Sequence, residues 1–137
     1  MRSALLPAAV LSVVCIGCHT AEQPPAKPGE EPLELTDANF QQLVLESKQP
    51  VLVDVYTTWC GPCRDMAPVV GQLTGEFKGR AIVGKLDADR QQGICRRYGV
   101  DRYPTFLYFK NGELVEKQIG GDSKQEMAAR IEKLIDR

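Results

Sequence analysis

Two cysteines separated by two residues are the part of this sequence best suited to chemistry. Cys60 and Cys63 lie in the stretch Trp59-Cys60-Gly61-Pro62-Cys63. A pair at this spacing can close a small disulfide ring or stay open as a dithiol, and disulfide exchange is the chemistry that it suggests. The thiolate is the attacking species in such exchange, so the surroundings of each sulfur decide its reactivity.

The residues around this pair predict a strand, a tight turn and a helix. Residues 51–56 form a short apolar run with β-branched side chains. Gly61 and Pro62 suit the turn and the helix start, and apolar residues then recur at helical spacing from 64 to 77. We therefore expect Cys60 at a helix N-terminus, where unpaired N–H groups and the helix dipole stabilise a thiolate.

The rest of the chain predicts further alternation of helices and strands. Strand 51–56 is apolar on both faces except at Asp54, so we expect it at the centre of a sheet. The other predicted elements are a first helix capped by Thr36 or Asp37 with Phe40, Leu43 and Val44 on one face, a strand over 81–86 parallel to 51–56, a helix over 89–98 ending at Gly99, strands over 105–110 and 114–119 joined by an Asn111-Gly112 turn, and a last helix opened by a Ser123–Glu126 capping box. Pro68 is expected to kink the helix that contains it.

Motifs along about the last hundred residues resemble, in order, those of the thioredoxin family. Besides Trp59 to Cys63 they are Leu35-Thr36-Asp37, Val53-Asp54, Ala67-Pro68, Lys85-Leu86-Asp87, Tyr98-Gly99-Val100, Tyr103-Pro104-Thr105, residues 109–113 and Gly120-Gly121. The resemblance implies an α/β protein with the thioredoxin fold, in which helices flank a central mixed β-sheet. It places a single domain over residues 33–137.

The resemblance also implies a proton-transfer group below the cysteines. The acid matching Asp54 lies beneath the pair in thioredoxins and assists proton transfer to or from the inner cysteine, here Cys63. A buried carboxyl has a raised pKa and can exchange protons near neutral pH. Lys85 matches the family lysine near that acid, with an ordinary strand lysine as the alternative.

A substrate-facing surface is implied in the same way. The proline matching Pro104 is cis, faces the cysteine pair, keeps metals off it and helps to orient a peptide strand that bonds to residue 103. Tyr103 departs from the smaller residues common there. The expected substrate-binding residues are Trp59, Gly61, Pro62, Tyr103, Pro104, Thr105 and Gly120.

The N-terminal residues predict export. A basic start and an apolar run over 4–14 are typical of a signal peptide, assigned to residues 1–17, and the run is too short to span a membrane. Gly17-Cys18 resembles a bacterial lipoprotein cleavage site, which predicts acylation of Cys18; a cleaved, soluble export signal is the alternative. Residues 18–32 are proline-rich and predict an extended tether.

The other cysteines and the composition suggest no cofactor. Cys15 to His19 satisfies the CxxCH haem-attachment pattern, but it overlaps the export segment and lacks residues for a haem pocket. Cys95 is expected to be a small buried hydrophobe, with a regulatory thiol as the alternative. A net charge of −1 and a single His give no basis for nucleic-acid binding or a His-based metal site.

These patterns together predict an exported thiol-disulfide oxidoreductase, monomeric and tethered on the periplasmic side of a bacterial membrane. Cys60 would attack protein disulfides, Cys63 would resolve the mixed disulfide, and a membrane protein would supply electrons. A thiol oxidase or isomerase on the same fold, and a non-catalytic peptide-binding module, are the alternatives.

Overall fold

The computed structural model of the protein describes residues 29–137. The predicted signal peptide, the acylation site Cys18, the CxxCH pattern and residues 18–28 of the tether therefore lie outside the described residues. Within 29–137, no helix is long and apolar enough to cross a membrane.

Among residues 29–137, five strands form one mixed sheet; four of them were predicted from the sequence, whereas the short strand that begins at Leu33 was not. They are β1 (Leu33–Leu35), β2 (Val51–Tyr56), β3 (Ile82–Asp87), β4 (Thr105–Lys110) and β5 (Glu113–Ile119), in the spatial order β1-β3-β2-β4-β5. Strands β1 and β2 pair in parallel with β3, whereas β4 runs antiparallel to β2 and β5. The apolar strand β2 is thus central, as expected.

In the described part of the chain, three α-helices and one short π-helical segment cover the sheet. The helices are α1 (Gly61–Glu76), α2 (Gln92–Arg97) and α3 (Lys124–Ile135), and the π-helical segment is Gln41–Leu45. One core lies between the sheet and helices α1 and α3, and includes Leu73 and Phe106; the other lies on the opposite face and includes Val53 and Phe109. Alternate residues of β2 point into the two cores, so Asp54 points to the side of α1.

The predicted first helix differs in type, but one of its two predicted caps is confirmed: the Thr36 hydroxyl accepts the N–H of Asn39 at 3.2 Å, and the Thr36 N–H donates to the Asn39 side chain at 2.8 Å. The segment is π-helical over Gln41–Leu45, and the N–H of Glu46 bonds five residues back to the carbonyl of Gln41 at 3.0 Å. Asp37 instead caps α2, because its carboxylate accepts the N–H groups of Gly93 and Ile94, both at 3.0 Å. A side chain at position 93 would lie 2.6 Å from that carboxylate, which accounts for the glycine there.

Helix α2 is also shorter than predicted. It begins at Gln92 rather than near 89, because a turn after β3 comes first. The carbonyl of Asp87 accepts the N–H groups of Arg90 and Gln91 in that turn. Gly99 ends the helix with a positive φ of 61°, as expected.

The predicted turn and final cap are confirmed. Asn111 and Gly112 both have positive φ, the backbone of a two-residue hairpin turn between β4 and β5. Ser123 accepts the N–H of Glu126 at 3.2 Å at the start of α3, but its own N–H donates to the Asp122 carboxylate at 2.7 Å, so only the Ser123 half of the predicted capping box forms. Pro68 lies inside α1, as expected.

Candidate active site

The two cysteines of the CxxC motif lie at the start of α1. Cys60 is the N-cap residue, its extended backbone comes directly after the β2–α1 loop, and its sulfur accepts the N–H of Cys63 at 3.1 Å. The two residues are joined by a disulfide with their Cα atoms 5.3 Å apart, and each is 5% exposed. The expected placement of Cys60 at a helix N-terminus is confirmed.

An aromatic surface lies beside the disulfide. Trp59 is 67% exposed, and its ring meets that of Tyr103 edge to face with 6.0 Å between centroids. The indole N–H of Trp59 donates to a carboxylate oxygen of Asp89 at 3.3 Å. Sequence reasoning missed Asp89, since no local pattern connects residues thirty positions apart.

The expected substrate-binding residues of the second loop lie before β4. The Tyr103–Pro104 peptide bond is cis, as the resemblance implied, and Pro104 is buried. The Pro104 carbonyl accepts the N–H of Gly120 at 2.8 Å, and Gly120 has a φ of +88° that few other residues adopt. Thr105 is buried at the start of β4 and donates its hydroxyl to the carbonyl of Arg102 at 2.7 Å, so it supports this loop from below.

Gly61 and Pro62 occupy the first turn of α1, between the two cysteines. Pro62 is exposed and Gly61 is half-buried, so both lie at the surface next to Trp59. The sequence-predicted contact residues thus fall into two groups. Trp59, Gly61, Pro62, Tyr103 and Gly120 reach solvent, whereas Pro104 and Thr105 form the buried base of their loop.

Asp54 lies in the sheet beneath α1. It is 6% exposed, and its Oδ1 atom has no hydrogen-bond partner among the described residues. Burial raises the pKa of its carboxyl from 3.8 to about 7, while the positive charge of Lys85 acts in the opposite direction. Asp54 therefore changes its protonation state near neutral pH, the property expected of a proton-transfer group.

A cavity of about 690 Å³ connects this acid with the inner cysteine. Asp54, Cys63 and Lys85 all line it, whereas Cys60 does not. Its volume exceeds what one water molecule requires many times over. The cavity therefore gives protons a route between Asp54, Cys63 and solvent.

Lys85 forms the side of this cavity and is directly opposite Asp54 in the β2–β3 register. Its ammonium group forms an ion pair with the carboxylate of Glu31. This hydrogen bond raises the pKa of Lys85, against the opposing effect of partial burial. Sequence reasoning assigned Lys85 but missed Glu31, which lies in the stretch predicted to be tether.

Cys95 lies apart from this site. Cys95 is a free thiol in α2, 3% exposed within the core on the opposite face of the sheet, which confirms the expected buried hydrophobe. Burial raises the pKa of this thiol. Over residues 29–137, no group of three or more His, Cys, Asp or Glu side chains could hold a metal ion.

Comparison with known proteins gives matches over this same part of the chain. The thioredoxin family model matches residues 31–133. A thioredoxin of Chlorobaculum thiosulfatiphilum is 40% identical over 102 residues, which cover 74% of this chain and 94% of that protein. A thioredoxin of Synechocystis sp. is 38% identical over 102 residues (74% and 95%), and the chloroplastic M-type thioredoxin of Spinacia oleracea is 41% identical over 106 residues (77% and 59%).

Proposed function

Because the chain belongs to the thioredoxin family and carries a redox disulfide at a helix N-terminus, we propose that it reduces protein disulfides outside the cytoplasm. Thioredoxin-type disulfide exchange follows from the family and the cysteine pair. The roles of individual residues, the compartment and the electron donor are what we propose here. The N-cap position of Cys60 is the observation that carries the proposed exchange chemistry, and residues 1–32 carry the proposed compartment.

The proposed reaction proceeds through two exchanges at sulfur. The thiolate of reduced Cys60 attacks one sulfur of a substrate disulfide, the substrate S–S bond breaks, and one substrate thiolate leaves. The Cys63 thiolate then attacks the Cys60 sulfur, which releases the second substrate thiolate and forms the Cys60–Cys63 disulfide. Two electrons pass to the substrate, and the protein becomes oxidised.

The helix start determines which cysteine attacks. The N–H of Cys63 points at the Cys60 sulfur, and the positive end of the α1 dipole lies at the same place. Both favour negative charge on Cys60 rather than on Cys63, which lies one turn further into the helix. Cys60 is therefore the nucleophile in this proposal.

Asp54 is the proposed proton acceptor for Cys63. Resolution needs the Cys63 thiolate, so its proton must leave when the mixed disulfide forms. The Asp54 carboxyl, with a pKa of about 7, can take that proton through the shared cavity and return it to solvent. Lys85 is the nearby positive charge that favours the ionised carboxylate.

The exposed residues around the disulfide are the proposed contact surface for substrates. Trp59 and Tyr103 offer apolar rings, and Pro62 in the first turn of α1 adds an exposed apolar side chain. The backbone of residue 103 and the glycine at 120 allow an extended peptide to approach closely. Such a surface recognises backbone and apolar groups, which suits many different protein disulfides.

The proposal that the protein is exported is based on its first thirty-two residues. The signal-like residues 1–17, the lipoprotein-like Cys18 and the proline-rich stretch after it support a domain attached to a membrane by a lipid. An electron donor in that membrane would re-reduce the Cys60–Cys63 disulfide, because the reaction leaves the protein oxidised. The relatives above are similar to the domain and carry no information about this segment.

A Cys63→Ser variant of the full chain tests the proposal. Without the resolving thiol, the mixed disulfide at Cys60 should persist, and partners should appear as adducts on non-reducing gels that reduction removes. A Cys60→Ser variant is the matched control and should trap far fewer partners. Trapped partners that carry export signals support the proposal; adducts made only of cytoplasmic proteins, or no adducts at all, would contradict it.

A further inference from the structure

Residues 29–32 pack on the catalytic domain rather than extending away from it. Gly29 lies against the backbone of Gly71 in α1, so closely that a Cβ atom on Gly29 would be 2.7 Å from a Gly71 backbone atom. Glu30 forms an ion pair with Lys78 just beyond α1, and Glu31 forms one with Lys85 of β3. This segment therefore bridges α1 and the sheet across the cavity that holds Asp54.

Lys85 lies between two carboxyl groups. In the sheet register it is directly opposite Asp54 of β2, and both side chains line the cavity. On its other side the ammonium group is bound by Glu31. Among residues 29–137, the ion pair of Lys85 is with Glu31 and none joins it to Asp54, whose Oδ1 atom has no hydrogen-bond partner there.

We infer that Glu31 is a positioning residue, which holds the Lys85 ammonium away from Asp54 and so limits how strongly that positive charge favours the ionised carboxylate. The inference extends the proposed function, since Asp54 is its proton acceptor. An ammonium free to approach a buried carboxylate would stabilise the charged form. The segment just before β1 would thus set the pH at which Asp54 can accept the proton of Cys63.

Several other titratable or charged groups surround Asp54 and Lys85, and they lie on neighbouring elements. Among residues 29–137, the titratable or charged groups around Asp54 and Lys85 are Glu30, which is paired with Lys78, Glu31, Glu34 of β1, Tyr56 of β2, Cys63 and Arg64 of α1, and Asp87 of β3. Glu34 is opposite Lys85 in the β1–β3 register, but the ion pair of Lys85 is with Glu31. Glu31 is therefore the residue whose removal should free the ammonium.

The test is the titration of the Asp54 carboxyl, followed by NMR in the oxidised full chain. With Glu31→Gln, the titration midpoint should fall from about 7 by roughly one pH unit, because the Lys85 ammonium becomes available to Asp54. Glu30→Gln is the matched control: it removes the neighbouring carboxylate, whose partner is Lys78, and should leave the midpoint unchanged. Equal midpoints in the wild type and in Glu31→Gln would overturn the inference.

A double-variant cycle shows whether Glu31 acts through the lysine. In a Lys85→Met background, adding Glu31→Gln should leave the Asp54 midpoint where it is. A fall as large as in the wild-type background would mean a direct effect of the Glu31 charge, and would overturn the positioning role. Gly29→Val should displace the segment without changing any charge, and should lower the midpoint as Glu31→Gln does.

The rate of disulfide exchange separates this inference from the proposed function. The pH at which the resolving step reaches half its maximal rate should shift with the Asp54 midpoint in Glu31→Gln. If the midpoint moves and the rate profile does not, Asp54 is not the proton acceptor, and the proposed role of Asp54 fails while the effect of Glu31 on its titration stands. If neither moves, the role of Glu31 fails.

Discussion

The proton chemistry of the site depends on a carboxyl group whose ionised form is disfavoured by burial in the fold. Asp54 lies in a central strand, 6% exposed, with one oxygen unpaired among the described residues. An ionised carboxylate in such surroundings loses hydration that no donor replaces. The same burial that tunes Asp54 for proton transfer therefore reduces the stability of the folded protein at neutral pH.

The pH dependence of stability should reveal this cost. Asp54 has a pKa of about 7 in the folded protein and 3.8 when unperturbed. Between these values the folded state holds a proton that the unfolded state has released. The free energy of unfolding should consequently decrease as pH rises from about 4 to about 7 and then level off. At about 1.36 kcal/mol per unit of pKa, the upper bound of this loss is roughly 4 kcal/mol.

An Asp54→Asn variant removes the ionisable group while keeping its shape. Urea unfolding should show the variant more stable than the wild type at pH 8, by up to roughly 4 kcal/mol in free energy of unfolding. At pH 4 the two proteins should have similar stability. The variant should also resolve mixed disulfides more slowly at neutral pH. A variant less stable than the wild type at pH 8 would contradict the raised pKa.

The elements that were predicted correctly are those whose sequence signal lies within a few neighbouring residues. Strand β4 has the predicted bounds, because an apolar run followed by Asn111-Gly112 defines both its end and the turn. The cap of α3 at Ser123 is equally local. What the sequence did not reveal are contacts between distant residues: Asp37 with α2, Trp59 with Asp89, and Glu31 with Lys85.

The cap of α2 shows why such contacts escape a reading of the sequence. Asp37 has the residue type and the position of an N-cap for the helix that follows it in the chain, and it was predicted for that role as the alternative to Thr36. The fold offers it a helix start 56 residues away instead, where the N–H groups of Gly93 and Ile94 lack partners within α2. Residue type therefore indicated a helix cap, and only the tertiary structure identified the helix.

An Asp37→Ala variant tests this long-range cap. The free energy of unfolding should fall by about 1 kcal/mol, a typical loss for an N-cap. Amide hydrogen exchange of Gly93 and Ile94 should accelerate in the variant, while that of residues 41–45 should not. Ser123→Ala, which removes the local cap of α3, is the matched control and should instead accelerate exchange at Glu126. Faster exchange confined to residues 41–45 would show instead that Asp37 caps the first helix.

At the scale of the whole molecule, the domain begins earlier than its first strand. The sequence predicted a tether through residue 32, yet residues 29–32 contact α1 and β3 and help to enclose the cavity. Short motifs did not indicate this, because proline and glutamate are typical of extended linkers. The attachment to a membrane that we propose would thus begin only a few residues from the proton-transfer site.

The membrane attachment itself is tested with the full chain in a host that processes lipoproteins. The wild-type protein should fractionate with membranes and incorporate labelled palmitate, because acylation of Cys18 adds a lipid anchor. Cys18→Ala should do neither, whereas Cys15→Ala should behave like the wild type. Equal palmitate incorporation by the wild type and Cys18→Ala would rule out Cys18 as the anchor.

The two outer strands of the sheet affect whether copies of this protein crowded on a membrane surface would aggregate. β1 has only three residues, and the longer β5 carries Glu113, Glu116 and Lys117, all exposed. Unpaired strand edges promote intermolecular β-pairing and aggregation, which short strands and charged side chains oppose. Many copies could then be packed side by side without their sheets joining, and each exposed Trp59 would stay available to its own substrate.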